Sequence, residues 1–131
     1  MTDTPAELLQ QYFDNWHDGN GERATELWAD DVVMHYPGRN RFSGKYEGRQ
    51  SILNYLEEID RRGGSDVIEI YTVMGNETNA AASYREDLQW GENTHELYRF
   101  NNYRFENGKV VEIWVYEADQ HAVDEFFKRY A

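Results

Sequence analysis

His35-Tyr36-Pro37-Gly38-Arg39 is the stretch on which the fold turns, because of what lies on either side of it. Val32-Val33-Met34-His35-Tyr36 is apolar and β-branched enough for a strand, and Pro37-Gly38 stops it by removing a backbone donor and supplying a turn. Two helices precede it. Thr4-Pro5-Ala6-Glu7 is a capping box with proline at the first helical position. Leu9, Tyr12, Phe13 and Trp16 then recur at helical spacing until Gly19. A second short helix, about Glu22 to Trp28, buries Ala24, Leu27 and Trp28. After the turn, Arg39 to Gly48 is a loop, and a third helix carries Ile52, Tyr55, Leu56 and Ile59 on one face before Gly63-Gly64.

The rest is strand. Asp66–Met74, Asn79–Trp90, Thr94–Phe105 and Lys109–Glu117 are separated by Gly75-Asn76-Glu77, Gly91-Glu92-Asn93 and Asn107-Gly108, the last a strong hairpin signal. A final helix from about Asp119 packs Val123, Phe126, Phe127 and Tyr130. Long antiparallel strands twist and curl, so one face becomes concave. The expected fold is α+β and a single domain over residues 1–131: a cone-shaped, curved antiparallel (mixed) sheet packed against three N-terminal helices, with a short C-terminal helix. In the last strand Val111, Ile113, Val115 and Glu117 share one face and Glu112, Trp114 and Tyr116 the other. A carboxylate that ends an apolar row marks Glu117 as a candidate.

Acids outnumber bases 25 to 13 for a net charge of −12, which argues against nucleic acid or an anionic membrane as partner. An acidic surface of this kind keeps a protein dissolved, and it also suits a high-salt habitat. No stretch is long and apolar enough to span a bilayer, and Met1-Thr2-Asp3-Thr4-Pro5 lacks the pattern of a signal peptide. The sequence has no cysteine, which excludes disulfides and thiolate metal sites and fits a cytoplasmic location. On that footing the sequon Asn76-Glu77-Thr78 carries no weight. Aromatics reach 15% of the chain, more than a core of this size needs, so some are expected to line a cavity or an interface.

The order helix-helix-strand-helix followed by four strands resembles the nuclear transport factor 2-like superfamily. Within it the chain is similar to the SnoaL-like polyketide cyclases and ketosteroid isomerases. The matching residues are Leu27-Trp28-Ala29-Asp30-Asp31-Val32, Ser43-Gly44-Lys45-Tyr46-Glu47-Gly48, and Tyr103-Arg104-Phe105 leading to Gly108-Lys109-Val110-Val111. This resemblance implies the cone fold and a small-molecule ligand but no single activity. Isomerases of the family use an aspartate base on the first strand, with a tyrosine and a protonated aspartic acid bonding the enolate; that site is a standard example of tuned acidity. The family tyrosine falls on Tyr12, the acid donor on Asn101, and the base on Tyr36. A tyrosine with an ordinary pKa of about 10 is a poor base at neutral pH, so the chain is not expected to be a true ketosteroid isomerase.

The same resemblance turns Ala82, Tyr84, Glu86 and Leu88, and then Leu97, Arg99, Asn101 and Tyr103, toward the cavity. Glu86 and Glu117 become the replacement acid–base candidates, since burial raises a carboxyl pKa toward neutrality. The alternative is that Arg99 or Arg85 pairs with them and they only join strands. Tyr12, Glu86, Asn101 and Glu117 are the expected catalytic set, with Trp16, Tyr36, Tyr84, Arg99 and Tyr103 around the ligand; core packing is the competing account of the aromatics.

His35 points away from the cavity on a regular strand, His95 falls on the cavity side near a strand end, and His17 and His121 face solvent. None has the spacing of a metal pair, so no metal and no cofactor are expected. Arg85-Glu86-Asp87 contains an Arg-x-Asp pattern similar to that of the superfamily's epoxide hydrolases, but the pair faces outward and reads as a surface ion pair. Three functions compete: an acid–base enzyme on an oxygenated carbonyl or polyketide-like compound, a ligand-binding protein without chemistry, and a structural dimer with a vestigial cavity. Tyr98, Phe100, Trp114 and Tyr116 gather on the outer sheet face, where a homodimer is expected unless the C-terminal helix folds back over them.

Overall fold

The capping box forms as its sequence dictates. Thr4 Oγ1 accepts from the Glu7 N–H at 3.2 Å and Glu7 Oε1 accepts from the Thr4 N–H at 3.2 Å, opening helix α1 at Pro5–His17. In this computed structural model residues 3–131 are described. The remaining elements are α2 (Gly21–Thr25), β1 (Trp28–Tyr36), β2 (Gly44–Glu47), α3 (Arg49–Arg61), β3 (Ser65–Gly75), β4 (Asn79–Trp90), β5 (Asn93–Glu106), β6 (Lys109–Glu117) and α4 (Gln120–Tyr130).

The six strands form one open sheet in the order β2-β1-β6-β5-β4-β3. β1 runs parallel to β6 and every other neighbouring pair is antiparallel. β5 and β6 are joined by Asn107-Gly108 with φ of 51° and 76°. A two-residue turn of this hand needs positive φ at both positions, which asparagine and glycine adopt most readily. Bulges bend the sheet: Ile68 and Tyr71 are extra residues in β3 against β4, and Val111 is extra in β6 against β5. Each adds local twist and curls the sheet around its inner face.

Helices fill that curve. Leu9 and Phe13 of α1 and Ile52 and Ile59 of α3 are buried together with Leu97 and Ile113 of the sheet. Helix α4 closes one end: Phe127 meets Phe42 at 4.9 Å between ring centroids, and Trp90 Nε1 donates to the Tyr130 carbonyl at 2.9 Å. Asp124 of α4 also accepts from the Arg39 N–H at 3.0 Å and from Asn40 Nδ2 at 2.8 Å. The turn after Pro37 is thereby held against the last helix. Among the described residues no helix is long and apolar enough to cross a membrane.

Three local expectations change. The second helix ends at Thr25, because the Leu27 carbonyl accepts from the Val110 N–H at 2.9 Å and draws Trp28 into the sheet. The loop Arg39–Gly48 contains β2, an edge strand recruited by backbone pairing with β1 and lacking the apolar alternation that would announce it. In β6 the bulge puts Val110 in the core and leaves Val111 only half-buried, so the apolar row begins one residue earlier than strict alternation allows.

Candidate functional site

Between the concave sheet and helices α1 and α3 lies a cavity of about 100 Å³. Side chains alternate along strands, so Tyr84 and Glu86 of β4 and Arg99, Asn101 and Tyr103 of β5 all reach its wall. Tyr12 and Trp16 reach it from α1, and Tyr36 from the end of β1. Glu117 does not. It lies behind Arg99 with its side chain 1% exposed.

The cavity has a charged end. Arg99 Nε donates to both Glu117 oxygens at 3.0 and 2.9 Å, and Nη2 lies 2.8 Å from Glu117 Oε2. Nη2 also donates to the Tyr36 hydroxyl at 2.7 Å, and Nη1 to Glu86 Oε2 at 3.1 Å. Every guanidinium nitrogen is therefore engaged, in the bidentate geometry that suits arginine to buried carboxylates. One guanidinium faces two carboxylates, which leaves excess negative charge when both are ionised. Burial pushes the Glu86 carboxyl above its ordinary value; Arg99 opposes the shift and Glu117 adds to it. Arg99 bonds one Glu86 oxygen, and the Ser65 side chain beside the carboxyl acts to lower its pKa; both residues line the cavity with Glu86.

The other end is neutral. Asn101 Nδ2 donates to the Tyr84 hydroxyl at 2.8 Å and to the Tyr103 hydroxyl at 3.0 Å, while Oδ1 is buried without a partner. Turning the amide over would exchange the roles but still leave one edge unbonded. Trp28 Nε1 lies near the Tyr12 hydroxyl but is likewise buried without a well-formed hydrogen bond among the described residues, and Trp28 also lines the cavity. The Tyr12 hydroxyl sits among the polar tips of Trp16, Trp28 and Tyr103. Burial raises the Tyr12, Tyr84 and Tyr103 hydroxyls above the ordinary tyrosine range, so they stay protonated and can donate.

Other candidates lie elsewhere. His35 stacks on Trp114 with centroids 5.4 Å apart, and its Nε2 lies 2.5 Å from Glu112 Oε2 on the outer face. His95 does not line the cavity: the start of β5 runs beneath α4, and the ring packs on Phe126 at 5.1 Å. His17 bonds the Val67 carbonyl at 3.0 Å. Arg85 and Asp87 form a two-point ion pair at 3.1 Å, apart from the cavity wall. Among the described residues no group of three or more His, Cys, Asp or Glu is placed to hold a metal ion.

Sequence reasoning missed Trp28 and Tyr55. The sequence puts Trp28 on a helix face as core, and the change from helix to strand after Thr25 makes it part of the cavity wall. Tyr55 belongs to the apolar face of α3, where spacing alone cannot distinguish a wall of a cavity from packing. It lines both the cavity and an outer groove of about 530 Å³ shared with Phe42, Tyr46 and Gln50.

Solved structures share the whole architecture. Bal32a, from a soil-derived mobile gene cassette, is 23% identical with a TM-score of 0.84, over 94% of this chain and 95% of that one. A protein of unknown function with a cystatin-like fold from Xanthomonas campestris is 22% identical with a TM-score of 0.85, over 95% and 98%. TerC, co-crystallised with polyporic acid, is 15% identical with a TM-score of 0.78, over 95% and 99%. At these identities the likeness establishes the fold alone. No curated protein matches the chain. The family model of the SnoaL-like domain matches residues 9–113, from within α1 into β6, and the chain therefore belongs to the SnoaL-like family.

Proposed function

We propose that this cone-fold protein is an acid–base enzyme acting on an oxygenated carbonyl compound with its own side chains alone. One observation carries this proposal. A buried carboxylate with a raised pKa, Glu86, is held by one oxygen and faces a cavity whose far end is made of neutral hydrogen-bond donors. A base for proton abstraction beside a carbonyl needs a pKa near the working pH, and the developing oxyanion needs pre-placed donors. Glu86 takes the proton, the Tyr12 hydroxyl supports the oxygen, and Asn101 does so with its amide turned over, so that Oδ1 accepts from Tyr84 and Tyr103 and the NH2 edge faces the ligand. Arg99 and Glu117 orient Glu86. Of the two glutamates Glu86 is the better base, since both oxygens of Glu117 are bound by Arg99. Tyr36 at the family base position, bonded to Arg99, argues against ketosteroid isomerisation itself.

The test is solvent exchange. In D2O the purified protein should exchange the α-hydrogens of a small ketone, followed by NMR, and Glu86→Gln should abolish the exchange while binding persists. Binding without exchange in the wild type would select the alternative, a ligand carrier without chemistry.

We also propose that two copies pair through the outer sheet face. Tyr98, Phe100 and Tyr116 are 44%, 42% and 51% exposed there, and Phe100 stands directly across from Tyr116. Apolar clusters of this kind mark interaction surfaces. Helix α4 does not fold over them, because Phe126 and Phe127 are buried at the closed end with Phe42 and Trp90. Trp114 is not a free member of the patch, since His35 covers it.

A further inference from the structure

We infer that Trp28 is a ligand-binding donor, and that the ligand is a small neutral carbonyl compound rather than a carboxylate or an aromatic ring system. The inference rests on the cavity being the working site, as proposed above. Trp28 is 5% exposed and Asn101 4%, and each presents a polar atom without a partner. Buried polar groups are bonded in the great majority of cases, because an unbonded one forfeits its hydration for nothing. Both residues line one cavity, and the hydroxyls of Tyr12 and Tyr103 lie between them. A ligand oxygen seated at this end would accept from the indole N–H and, with the Asn101 amide turned over so that Oδ1 accepts from the Tyr84 and Tyr103 hydroxyls, from the amide N–H as well, with its carbon atoms toward Glu86.

Size and charge narrow the class. A benzene ring occupies an apolar cavity of about 150 Å³. This cavity is about 100 Å³, smaller than that, so it suits a ligand smaller than a benzene ring. A carboxylate would need a free cation, yet every nitrogen of Arg99 is already bonded to Glu117, Glu86 or Tyr36. The two glutamates also outnumber the one guanidinium, so the wall repels an anion.

The test follows the Trp28 indole N–H by ¹H–¹⁵N NMR, its cross-peak assigned by triple-resonance spectra among those of the four tryptophans. Acetone, acetate of nearly the same shape, and acetophenone are titrated separately at neutral pH. Acetone should move the Trp28 peak saturably, while acetate and acetophenone bind at least tenfold more weakly. Trp28→Phe should weaken acetone binding at least tenfold. If this variant fails to fold, the wild-type peak still decides. Equal binding of acetate or acetophenone, no saturable acetone binding, or saturation at other cavity residues with the Trp28 peak unmoved would each overturn the inference. Acetone binding at Trp28 without α-hydrogen exchange removes the catalytic proposal and leaves this one standing. Exchange with an unmoved Trp28 peak does the reverse.

Discussion

Arg99 and Glu117 face each other across neighbouring strands, with Nε and Nη2 of one 2.8 to 3.0 Å from the carboxylate of the other, and both side chains are nearly sealed from water. Their register positions are directly opposed, so the pairing of β5 with β6 alone places them in reach. Because Glu86 adds a second carboxylate, the three residues do not contribute equally. Arg99→Met would strand two buried negative charges and should cost about 3–5 kcal/mol. Glu117→Gln should cost less, as Glu86 still accompanies the guanidinium. Glu86→Gln removes the excess charge and should be the least destabilising of the three. Urea denaturation of the three variants checks this order.

Glu86 should also tie stability to pH. Burial raises its carboxyl above the ordinary 4.5. Between that value and the folded one, the folded chain holds a proton that the unfolded chain has released. Stability then falls as pH rises through the window, by about 1.4 kcal/mol for each unit of upward shift. Glu86→Gln lacks this component, so its stability relative to wild type should climb with pH and level off above the window. Exchange activity runs the other way, rising with pH as the base form appears. Urea midpoints of both proteins across about pH 4–8 and the matching exchange rates test it together; a stability difference independent of pH would contradict the burial argument.

How far the residues themselves announce this arrangement varies with the physics involved. β4, β5 and β6 were readable because alternation and turn residues mark them, and the Asn107-Gly108 turn requires just the backbone that its sequence favours. Tyr84, Glu86, Arg99, Asn101 and Tyr103 fall on one face by period alone. What alternation cannot carry is a bulge, so Val111 was placed one residue out of step. Nor can it carry β2, which backbone bonds hold rather than side chains. The partner of a charge is also silent in sequence. Only the fold shows that Arg99 closes over Glu117 and leaves Glu86 toward the cavity.

Tyr55 stands between the cavity and the outer groove, its ring 5.4 Å from Tyr36, 5.6 Å from Phe42 and 5.4 Å from Tyr46. Removing it should join the two spaces into one of ligand-pocket size, about 300–1,000 Å³. Tyr55→Ala should therefore admit acetophenone at concentrations where wild type does not bind it, and lose up to about 3 kcal/mol of stability. Competition between acetophenone and acetone, read at the Trp28 indole, is the measurement. Unchanged exclusion of acetophenone in a folded variant would show that another residue sets the size limit.

The outer face gives the last prediction. Phe100 and Tyr116 are paired across β5 and β6, and Tyr98 lies beside them on the same face of β5. A two-fold axis through this face would set each cluster against its copy, as symmetric pairs require. Placing a charge at its centre opposes pairing by bringing two like charges together across the axis and by desolvating both. Phe100→Glu should shift a dimer to monomer in light scattering at micromolar concentration, with a far-ultraviolet circular dichroism spectrum unchanged because the position is 42% exposed in one chain. Phe100→Leu, which keeps the face apolar, should remain dimeric. Wild-type protein that scatters as a monomer at the same concentration would show that these aromatics have another use.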